Sequence, residues 1–391
     1  MARMTIADLG YTPGQLPSGP KNSILDVPGV HVGQVTVGKD GDDVLKGVTV
    51  ILPRPYEEMN IPCYAGLHTL NGNGELSGSF QVRDWGFTNQ PLALTNSLSF
   101  GVVFQTMWEW SLKRSEALGI DVVEMSHNYG TPVVAETSDW WLNDIGTSAL
   151  EPKDVHEAFE AALTQTEVLE GQNGGGASMT CHMFPGGTGT SSRVVEGDAG
   201  KKYTVGVLVQ SNYGHNYDLQ IAGVPIGKLM LKEGTIFTPG SRGESESTPD
   251  GKADDGSIVV MLITDAPMLP HQLNRLARHC AVGLAQVGGH GVGRNFSGDI
   301  ILALSTGNKP TERVIKPQVL GIAPVETNDI EIIKNESIDT MFRAASEVTE
   351  EAILNSMIAG REGRTGNKGV KLPGLPVDRV KELLKKYRVI V

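Results

Sequence analysis

One junction in the sequence combines residue types that can do covalent chemistry without a partner side chain. The polar stretch TPGSRGESESTPDGKADDG occupies residues 238–256 and contains no large aliphatic or aromatic residue, and Ser257 then opens the apolar run SIVVMLIT. This pattern is typical of a loop that enters a buried strand. Alternatively, the chain cleaves itself between Gly256 and Ser257, which gives a new N-terminal serine with a hydroxyl nucleophile beside a free amine.

Such a serine needs no histidine as its base. An α-amino group has a pKa of roughly 7.7–8.0, about two and a half units below that of lysine, so much of it is neutral near neutral pH. The neutral amine of an N-terminal serine can accept a proton from the hydroxyl of the same residue. Other catalytic arrangements lack support in the sequence. No serine lies in a G-x-S-x-G elbow, and the nine histidines show no HExxH or other metal-ligand spacing. We therefore predict neither a metal nor an organic cofactor.

Composition narrows the class of protein. The chain has 391 residues, of which 39% are hydrophobic and 20% charged, and a formal net charge of −12. This charge repels nucleic acids and anionic membranes, and no Lys/Arg cluster offsets it. No segment approaches the ~18 apolar residues of a membrane helix, and the N-terminus has no apolar signal region. We predict a cytoplasmic protein that binds neither nucleic acid nor membrane.

Hydrophobic periodicity predicts the elements that must position the junction. Strands are predicted at residues 31–37, 48–53, 203–212, 257–264 and 299–306, and helices at 101–118, 151–170, 265–289, 336–359 and 377–388. The two kinds of element mix without strict βαβ alternation and without sequence repeats. A layered α/β sandwich is therefore favoured over a doubly wound sheet or a barrel.

Longer motifs along nearly the whole chain resemble one family. They are AGLHTLNGNGEL (65–76), PLALTNS (91–97), PVVAET and LND (within 132–144), GGGASM (174–179), PGGTGTSSR (185–193), GVLVQSNYG (206–214), GSIVVMLITDAPMLPHQLNRLAR (256–278), SGDIILALST (297–306) and EVTEEAILNSM (347–357). In content and order these glycine-rich motifs are similar to those of the DmpA family. Its members are L-aminopeptidase/D-amidase-esterases, with the β-peptidyl aminopeptidases as near relatives.

The resemblance implies a fold, an activity and an assembly. The fold is expected to be a four-layer αββα sandwich of mixed sheets, similar to N-terminal-nucleophile hydrolases but with different connectivity. A precursor is expected to cleave itself into residues 1–256 and 257–391, which together form one sandwich domain. These pairs are expected to assemble as a tetramer of heterodimers. The implied activity is that of an aminopeptidase that removes small L-, D- or β-residues from short peptides, amino-acid amides and esters.

The resemblance also assigns roles to the residues of a catalytic centre. Ser257 matches the nucleophile, and Gly256 precedes it as in the DmpA branch of the family. Asn212 matches the asparagine whose side-chain amide faces the developing oxyanion. Ser297 and Asp299 match the pair that hydrogen-bonds the nucleophilic serine and its amine. Each of these residues alone, outside the family pattern, is typical of an ordinary turn or strand end.

The substrate side of the expected site departs from the family at one position. Glu136 matches the carboxylate that meets the free ammonium group of the substrate. Two residues later, where the family has an active-site tyrosine, this chain has Ser138, whose hydroxyl cannot reach as far as a phenol. Either Trp140 or Trp141 then reshapes the pocket wall, or Tyr213 or another group supplies the missing donor.

Two other interpretations stay open at the level of sequence. An acyltransferase resembling ornithine acetyltransferase has a related fold, but it cleaves itself before a threonine, and Ser257 with the SGD motif at 297–299 weighs against it. An unprocessed, non-enzymatic member of the fold is the other, because of the departure at Ser138. The segment between Phe237 and Gly256 also looks longer than in DmpA, which bears on specificity and cleavage efficiency.

Overall fold

A computed structural model of the chain describes residues 3–120, 130–147, 150–236, 256–310 and 327–388. Its α-helices are α1 (Ser79–Trp85), α2 (Phe100–Ala117), α3 (Pro152–Ala162), α4 (Ile226–Glu233), α5 (Pro270–Gly288), α6 (Asp339–Ala359) and α7 (Val377–Tyr387). Its strands are β1 (His31–Val37), β2 (Lys46–Leu52), β3 (Cys63–Gly72), β4 (Phe87–Thr88), β5 (Leu92–Asn96), β6 (Val133–Thr137), β7 (Thr180–Cys181), β8 (Phe184–Pro185), β9 (Gly187–Glu196), β10 (Lys202–Asn212), β11 (Ser257–Thr264), β12 (Gly298–Ser305), β13 (Arg364–Thr365) and β14 (Lys371–Leu372).

Two mixed sheets form the centre of the molecule. The larger sheet has six strands in the order β4-β3-β12-β11-β10-β9, and all its neighbours are antiparallel except the parallel pair β11 and β12. The smaller sheet has four strands in the order β1-β2-β5-β6, and β5 and β6 are parallel. Each sheet therefore combines parallel and antiparallel pairs, as the layered interpretation of the sequence requires.

The alternation of side chains along the strands produces four layers. Successive side chains of a strand point to opposite faces of its sheet. In β11, Val259 and Met261 pack with Leu92 and Leu94 of the smaller sheet, whereas Val260 joins the core shared with α5 and α6. The outer face of the smaller sheet packs in the same way on α2 and α3. The order helices, sheet, sheet, helices confirms the predicted αββα sandwich.

One predicted helix is wrong in its length. The pattern predicts a helix over residues 151–170, but α3 ends at Ala162. Beyond it, Gln34 Oε1 accepts hydrogen bonds from Leu169 N at 2.8 Å and from Gln165 Nε2 at 2.9 Å, and Gln34 Nε2 donates to the carbonyl of Leu169 at 2.9 Å. Contacts with β1 thus satisfy this backbone outside a helix, and they override the local helical propensity.

The other predicted elements exist, and their ends differ by a few residues. The helix predicted from residue 265 begins at Pro270, since proline has no N–H to lose and suits the first helical position. Most of the segment between Phe237 and Gly256, which is expected to be longer than in DmpA, lies outside the described residues. In the described ranges, no helix combines the length and the apolar character needed to cross a membrane.

Candidate active site

The ends of three central strands bring the expected catalytic residues together. Ser257 is the first residue of β11, and it lies opposite Asn212, the last residue of antiparallel β10. On its other side β11 runs parallel to β12, where Ile258 lies opposite Asp299. Ser297 directly precedes β12. Four residues from three distant parts of the sequence therefore meet at one end of the central strands of the larger sheet.

The hydroxyl of Ser257 is held by the start of β12. Ser257 is only 8% exposed, and its Oγ accepts a hydrogen bond from Gly298 N at 3.0 Å. Ser297 Oγ lies within hydrogen-bond distance of two acceptors, the carbonyl oxygen of Gly256 and, at 2.7 Å, Asp299 Oδ1, and its single proton donates to one of them at a time. The hydroxyl of Ser297 therefore connects a carboxyl group with the carbonyl on the N-terminal side of Ser257.

The environment of Asp299 combines burial with several hydrogen-bond donors. Burial raises the pKa of Asp299, while hydrogen bonds from the Ser297 hydroxyl and the backbone amides of Gly293 and Ile258 oppose this rise. The Gly293 amide donates to Asp299 Oδ2 at 2.7 Å. Gly293 belongs to the glycine-rich segment GGHGVGR at residues 288–294. The backbone amide of Gly293 in this segment therefore binds the side-chain carboxyl group of Asp299.

The residue before Ser257 is confined by the backbone of β10. A Cβ placed on Gly256 would lie 1.8 Å from the carbonyl oxygen of Asn212 and 2.8 Å from the Cα of Tyr213. Real Cβ atoms do not approach backbone atoms so closely, and backbone cannot give way as the end of a flexible side chain can. The described geometry of the junction therefore requires glycine at this position.

The side chain of Asn212 links β10 to β7 and to the segment after β6. Its Oδ1 accepts a hydrogen bond from Thr180 N at 2.9 Å, and its Nδ2 donates to the carbonyl of Ser138 at 2.7 Å. A carboxamide nitrogen carries two N–H groups. The contact with Ser138 uses one of them, and the orientation of the other follows from these two backbone contacts.

Ser138 contributes its backbone to this arrangement. Because the contact with Asn212 uses the carbonyl, exchange of a phenol for a hydroxymethyl group does not remove it. Trp140 and Trp141 follow on the same segment and are half-buried. Tyr213 is 1% exposed and lies in the core between the larger sheet and its helices. Tyr213 follows the last residue of β10 and is on the helix side of the larger sheet, opposite to the side from which Asn212 contacts Ser138.

Glu136 lies in β6, across a narrow gap from the start of β12. Its Oε1 accepts a hydrogen bond from Glu75 N at 3.0 Å, and its Oε2 accepts one from the Ser97 hydroxyl. A Cβ on Gly74 would lie 3.7 Å from Glu136 Oε1 and 3.2 Å from the Cα of Gly298. Only a glycine-sized residue thus separates the carboxylate from the strand end that holds the serine hydroxyl, and the carboxylate is partly exposed.

Sequence reasoning missed residues that hold these groups in place. Gln210 Nε2 donates to the Thr95 carbonyl at 2.9 Å and to the Thr137 hydroxyl at 2.7 Å, so it ties β10 to both parallel strands of the smaller sheet. A spacing of two residues from Asn212 is the signal that could have revealed Gln210, because both side chains leave the same face of β10. Ser97 stands in the PLALTNS motif, but the motif alone does not show its contact with the carboxylate.

The chemistry available at this site comes from hydroxyl, carboxyl and amide groups. In the part of the chain that the structure describes, no three His, Cys, Asp or Glu residues are grouped closely enough to hold a metal ion. The three cysteines are buried free thiols, namely Cys63, Cys181 and Cys280. Burial raises the pKa of each of these thiols.

Comparison with known proteins gives the family. Residues 22–371 match the family model described as peptidase family S58. The chain belongs to peptidase family S58. It is 40% identical to the β-peptidyl aminopeptidase BapA of Sphingosinicella microcystinivorans over 380 residues, which cover 95% of this chain and 89% of that protein. This similarity confirms the resemblance on which the sequence analysis relies.

Solved structures of similar proteins agree with the S58 assignment. A β-aminopeptidase of Burkholderia sp. has a TM-score of 0.83 and 37% identity, covering 99% of this chain and 100% of that one. The L-aminopeptidase D-Ala-esterase/amidase of Ochrobactrum anthropi has a TM-score of 0.79 and 34% identity over 98% of both chains, and is described as a prototype serine aminopeptidase with a variant Ntn hydrolase fold. The predicted hydrolase of the aminopeptidase class is confirmed, which favours it over the acyltransferase and the non-enzymatic alternatives.

Proposed function

We propose that this S58 peptidase is a self-cleaving aminopeptidase whose nucleophile is Ser257. One observation carries the proposal. The hydroxyl of Ser297, which also lies close to Asp299, contacts the carbonyl oxygen of Gly256. Cleavage of the peptide bond between this carbonyl carbon and Ser257 N frees the amine of Ser257. When the hydroxyl proton of Ser297 is donated to this carbonyl oxygen rather than to Asp299, it withdraws electron density from the carbonyl carbon and stabilises negative charge on the oxygen during attack.

Self-cleavage then proceeds as an acyl shift followed by hydrolysis. Ser257 Oγ attacks the carbonyl carbon of Gly256, the C–N bond breaks, and the hydroxyl proton ends on the departing nitrogen. The result is an ester between Gly256 and the Ser257 hydroxyl. Water hydrolyses this ester and leaves a carboxylate on Gly256 and a free amine and hydroxyl on Ser257.

Substrate turnover repeats this chemistry on an external acyl group. The neutral amine of Ser257 accepts the hydroxyl proton, Oγ attacks the substrate carbonyl, and an acyl-enzyme forms and is hydrolysed. The second N–H of Asn212 is proposed to donate to the oxyanion. Glu136 is proposed to bind the substrate ammonium, since a charge-assisted contact there selects substrates with a free N-terminus.

The proposed substrates are short peptides, amides and esters with a small N-terminal residue of the L, D or β type. The similarity to β-aminopeptidases and to an L-aminopeptidase D-Ala-esterase/amidase supports this range. Trp140 and Trp141 are proposed to form part of the pocket wall. We also propose a cytoplasmic tetramer of cleaved heterodimers without cofactor, and three buried free thiols suit a reducing compartment.

Denaturing electrophoresis together with a turnover assay tests the proposal. Incubation of the purified chain should convert one 41.8 kDa band into fragments 1–256 and 257–391, with serine as the new N-terminal residue. Aminopeptidase activity, measured on a panel of L-Ala, Gly, D-Ala and β-Ala p-nitroanilides, should rise as self-cleavage proceeds. A band that stays intact in a preparation without turnover of any of the four would show that the proposal is wrong.

We expect Gly256→Ala to slow self-cleavage by about 10²-fold. The added Cβ would lie 1.8 Å from the Asn212 carbonyl oxygen, so the junction must move away from the Ser297 hydroxyl. A displacement of about 1 Å at a reacting group typically lowers a rate by this factor. Time-resolved electrophoresis measures the conversion. Gly101→Ala is the matched control, because a Cβ at Gly101 meets nothing within 4 Å; equal cleavage rates in both variants would contradict the steric argument.

Glu136→Gln should weaken the recognition of free amines. Loss of the charged partner removes about 1.5–3 kcal/mol of binding, which raises KM for an aminoacyl p-nitroanilide about 10- to 150-fold. The amide keeps an oxygen that can accept from the Glu75 amide or the Ser97 hydroxyl. The control is Glu75→Gln, which neutralises an exposed neighbouring carboxylate. Equal activity of the wild type on N-acetylated and free substrates would remove the proposed role of Glu136.

A further inference from the structure

A buried polar cluster lies directly behind the segment that carries Ser138. Asp139 is 1% exposed, and its Oδ2 accepts hydrogen bonds from Asn96 Nδ2 at 2.9 Å and from Asn143 Nδ2 at 2.5 Å. Both asparagines are fully buried, and Asn143 Oδ1 accepts a hydrogen bond from Leu45 N at 2.9 Å. One carboxyl group thus joins the end of β5 to two points of the segment after β6.

Burial of this polar cluster has an unfavourable free energy. Burial raises the pKa of Asp139, and the hydrogen bond from Asn96, the charge of Lys46 and the hydrogen bond from Asn143 oppose the rise. Among the described residues, Asp139 Oδ1 and Asn96 Oδ1 have no hydrogen-bond partner. Buried ionisable groups of this kind add little net stability compared with apolar residues of the same size. A role in function is therefore the better explanation for a carboxyl group at this position.

The cluster lies next to two backbone positions on which the site depends. Ser138 directly precedes Asp139, and its carbonyl accepts the Asn212 Nδ2 hydrogen bond at 2.7 Å. Asn96 directly precedes Ser97, whose hydroxyl contacts the carboxylate proposed to bind the substrate amine. The hydrogen bond between Asn96 and Asp139 therefore ties the segment after β6 to the end of β5, where strand pairing with Thr137 holds Asn96 independently of this bond.

We propose that Asp139 is a positioning residue that fixes the Ser138 carbonyl and thereby aims the second N–H of Asn212 at the oxyanion. This inference rests on the proposed function, and in particular on the role of Asn212. Without the carboxyl group, the buried amides of Asn96 and Asn143 lose their common acceptor and the segment after β6 moves to satisfy them. The Asn212 amide then turns with the carbonyl that holds it, while the nucleophile on β11 stays in place.

Inhibitor binding to the mature enzyme separates this role from a general structural one. An aminoalkyl boronic acid forms a tetrahedral adduct with the serine and so places an oxygen at the oxyanion position, whereas propylamine probes amine recognition alone. Asp139→Ala should raise the Ki of the boronic acid about 10- to 100-fold and leave the propylamine Ki within about threefold. Asp139→Asn keeps an oxygen acceptor for both amides, so its boronic acid Ki should return to within about threefold of the wild-type value and its propylamine Ki should stay unchanged.

Each outcome of this experiment decides between the alternatives. A loss of folded enzyme lowers the concentration of active sites but does not change a Ki. Equal rises in both Ki values, or an unchanged boronic acid Ki, would therefore reflect the site itself and would overturn the proposal. If Asp139→Ala yields no folded enzyme, Asn143→Ala replaces it, because it removes one of the two donors and keeps the carboxyl group. It should raise only the boronic acid Ki, about 3- to 10-fold, and an unchanged value would overturn the proposal.

Failure of the parent proposals has a different signature. Mature Asn212→Ala with the wild-type boronic acid Ki would show that Asn212 is not the oxyanion donor, whatever Asp139 does. A wild-type chain that neither cleaves itself nor turns over the p-nitroanilides would show that the proposed function is wrong. A boronic acid Ki that rises in Asp139→Ala, with normal self-cleavage and turnover in the wild type, supports the positioning role.

Discussion

Ser257→Ala is expected to stay a single 41.8 kDa polypeptide and to have no measurable aminopeptidase activity. The change removes the hydroxyl that attacks the Gly256 carbonyl, and without cleavage the nitrogen of residue 257 stays in an amide and cannot act as a base. Because one residue supplies nucleophile and base, its loss should lower turnover by at least about 10⁴-fold, as expected when residues that act as a unit are removed. Electrophoresis over several days and the p-nitroanilide assay measure the two effects.

A second buried serine of the same strand pair provides the matched control. Ser305 ends β12, where it lies opposite Thr264, and its Oγ donates to the Ala266 carbonyl at 2.6 Å. Ser305→Ala therefore removes a buried hydroxyl at the opposite end of the same strands, at a cost of about 1–3 kcal/mol of stability. It should still cleave itself and turn over substrate. Cleavage before residue 257 in Ser257→Ala would show that the nucleophile assignment is wrong.

The central strands were predictable because their residue types indicate strands that are buried on both faces. SIVVMLIT and DIILALST are continuous apolar runs, and every residue of β11 and β12 is buried, since one face packs on the smaller sheet and the other on helices. The end of α3 was not predictable in the same way. It depends on hydrogen bonds between Gln34 and the Leu169 backbone, 135 residues apart. Local pattern contains no information about such a partner.

The candidate site likewise contains residues that the sequence predicts and supporting residues that only the structure reveals. The local pattern leaves the junction before Ser257 open between an ordinary loop end and a cleavage site. The family resemblance assigns the roles of Ser257, Asn212, Ser297 and Asp299, and strand pairing brings these residues together. The supporting residues follow from contacts at long range, such as the 43 residues between Asn96 and Asp139. No spacing rule within a strand or helix predicts these pairs, so they become visible only once the two sheets are stacked.

The departure at Ser138 illustrates a further difference between sequence and structure. A comparison of residue types emphasises the missing phenol of the family tyrosine. The structure instead uses the carbonyl of Ser138, and a backbone group is present whatever the side chain. The side chains that matter for this carbonyl are those that hold its segment in place, above all Asp139.

Asn212→Ala is expected to lower kcat by about 10²- to 10³-fold, with a much smaller change in KM. The second N–H of the amide is proposed to donate to an oxygen that carries full charge only in the transition state, so its loss affects the barrier more than ground-state binding. Self-cleavage should slow for the same reason, because the oxygen of Gly256 passes through a similar charged state. Turnover is therefore measured after prolonged incubation and expressed per cleaved chain, as determined by gel densitometry.

Asn308 provides a control with nearly the same contacts as Asn212 and no link to the site. Its Oδ1 accepts from the Glu331 amide at 3.0 Å and its Nδ2 donates to the Glu331 carbonyl at 2.9 Å, so Asn308→Ala also removes a buried side-chain bridge between a backbone donor and a backbone acceptor. The stability lost should be similar in the two variants, and thermal unfolding measures it. Only Asn212→Ala should lose kcat. A wild-type kcat in Asn212→Ala would remove it from the oxyanion site, and an equal loss in both variants would mean that destabilisation, rather than the missing donor, lowers the rate.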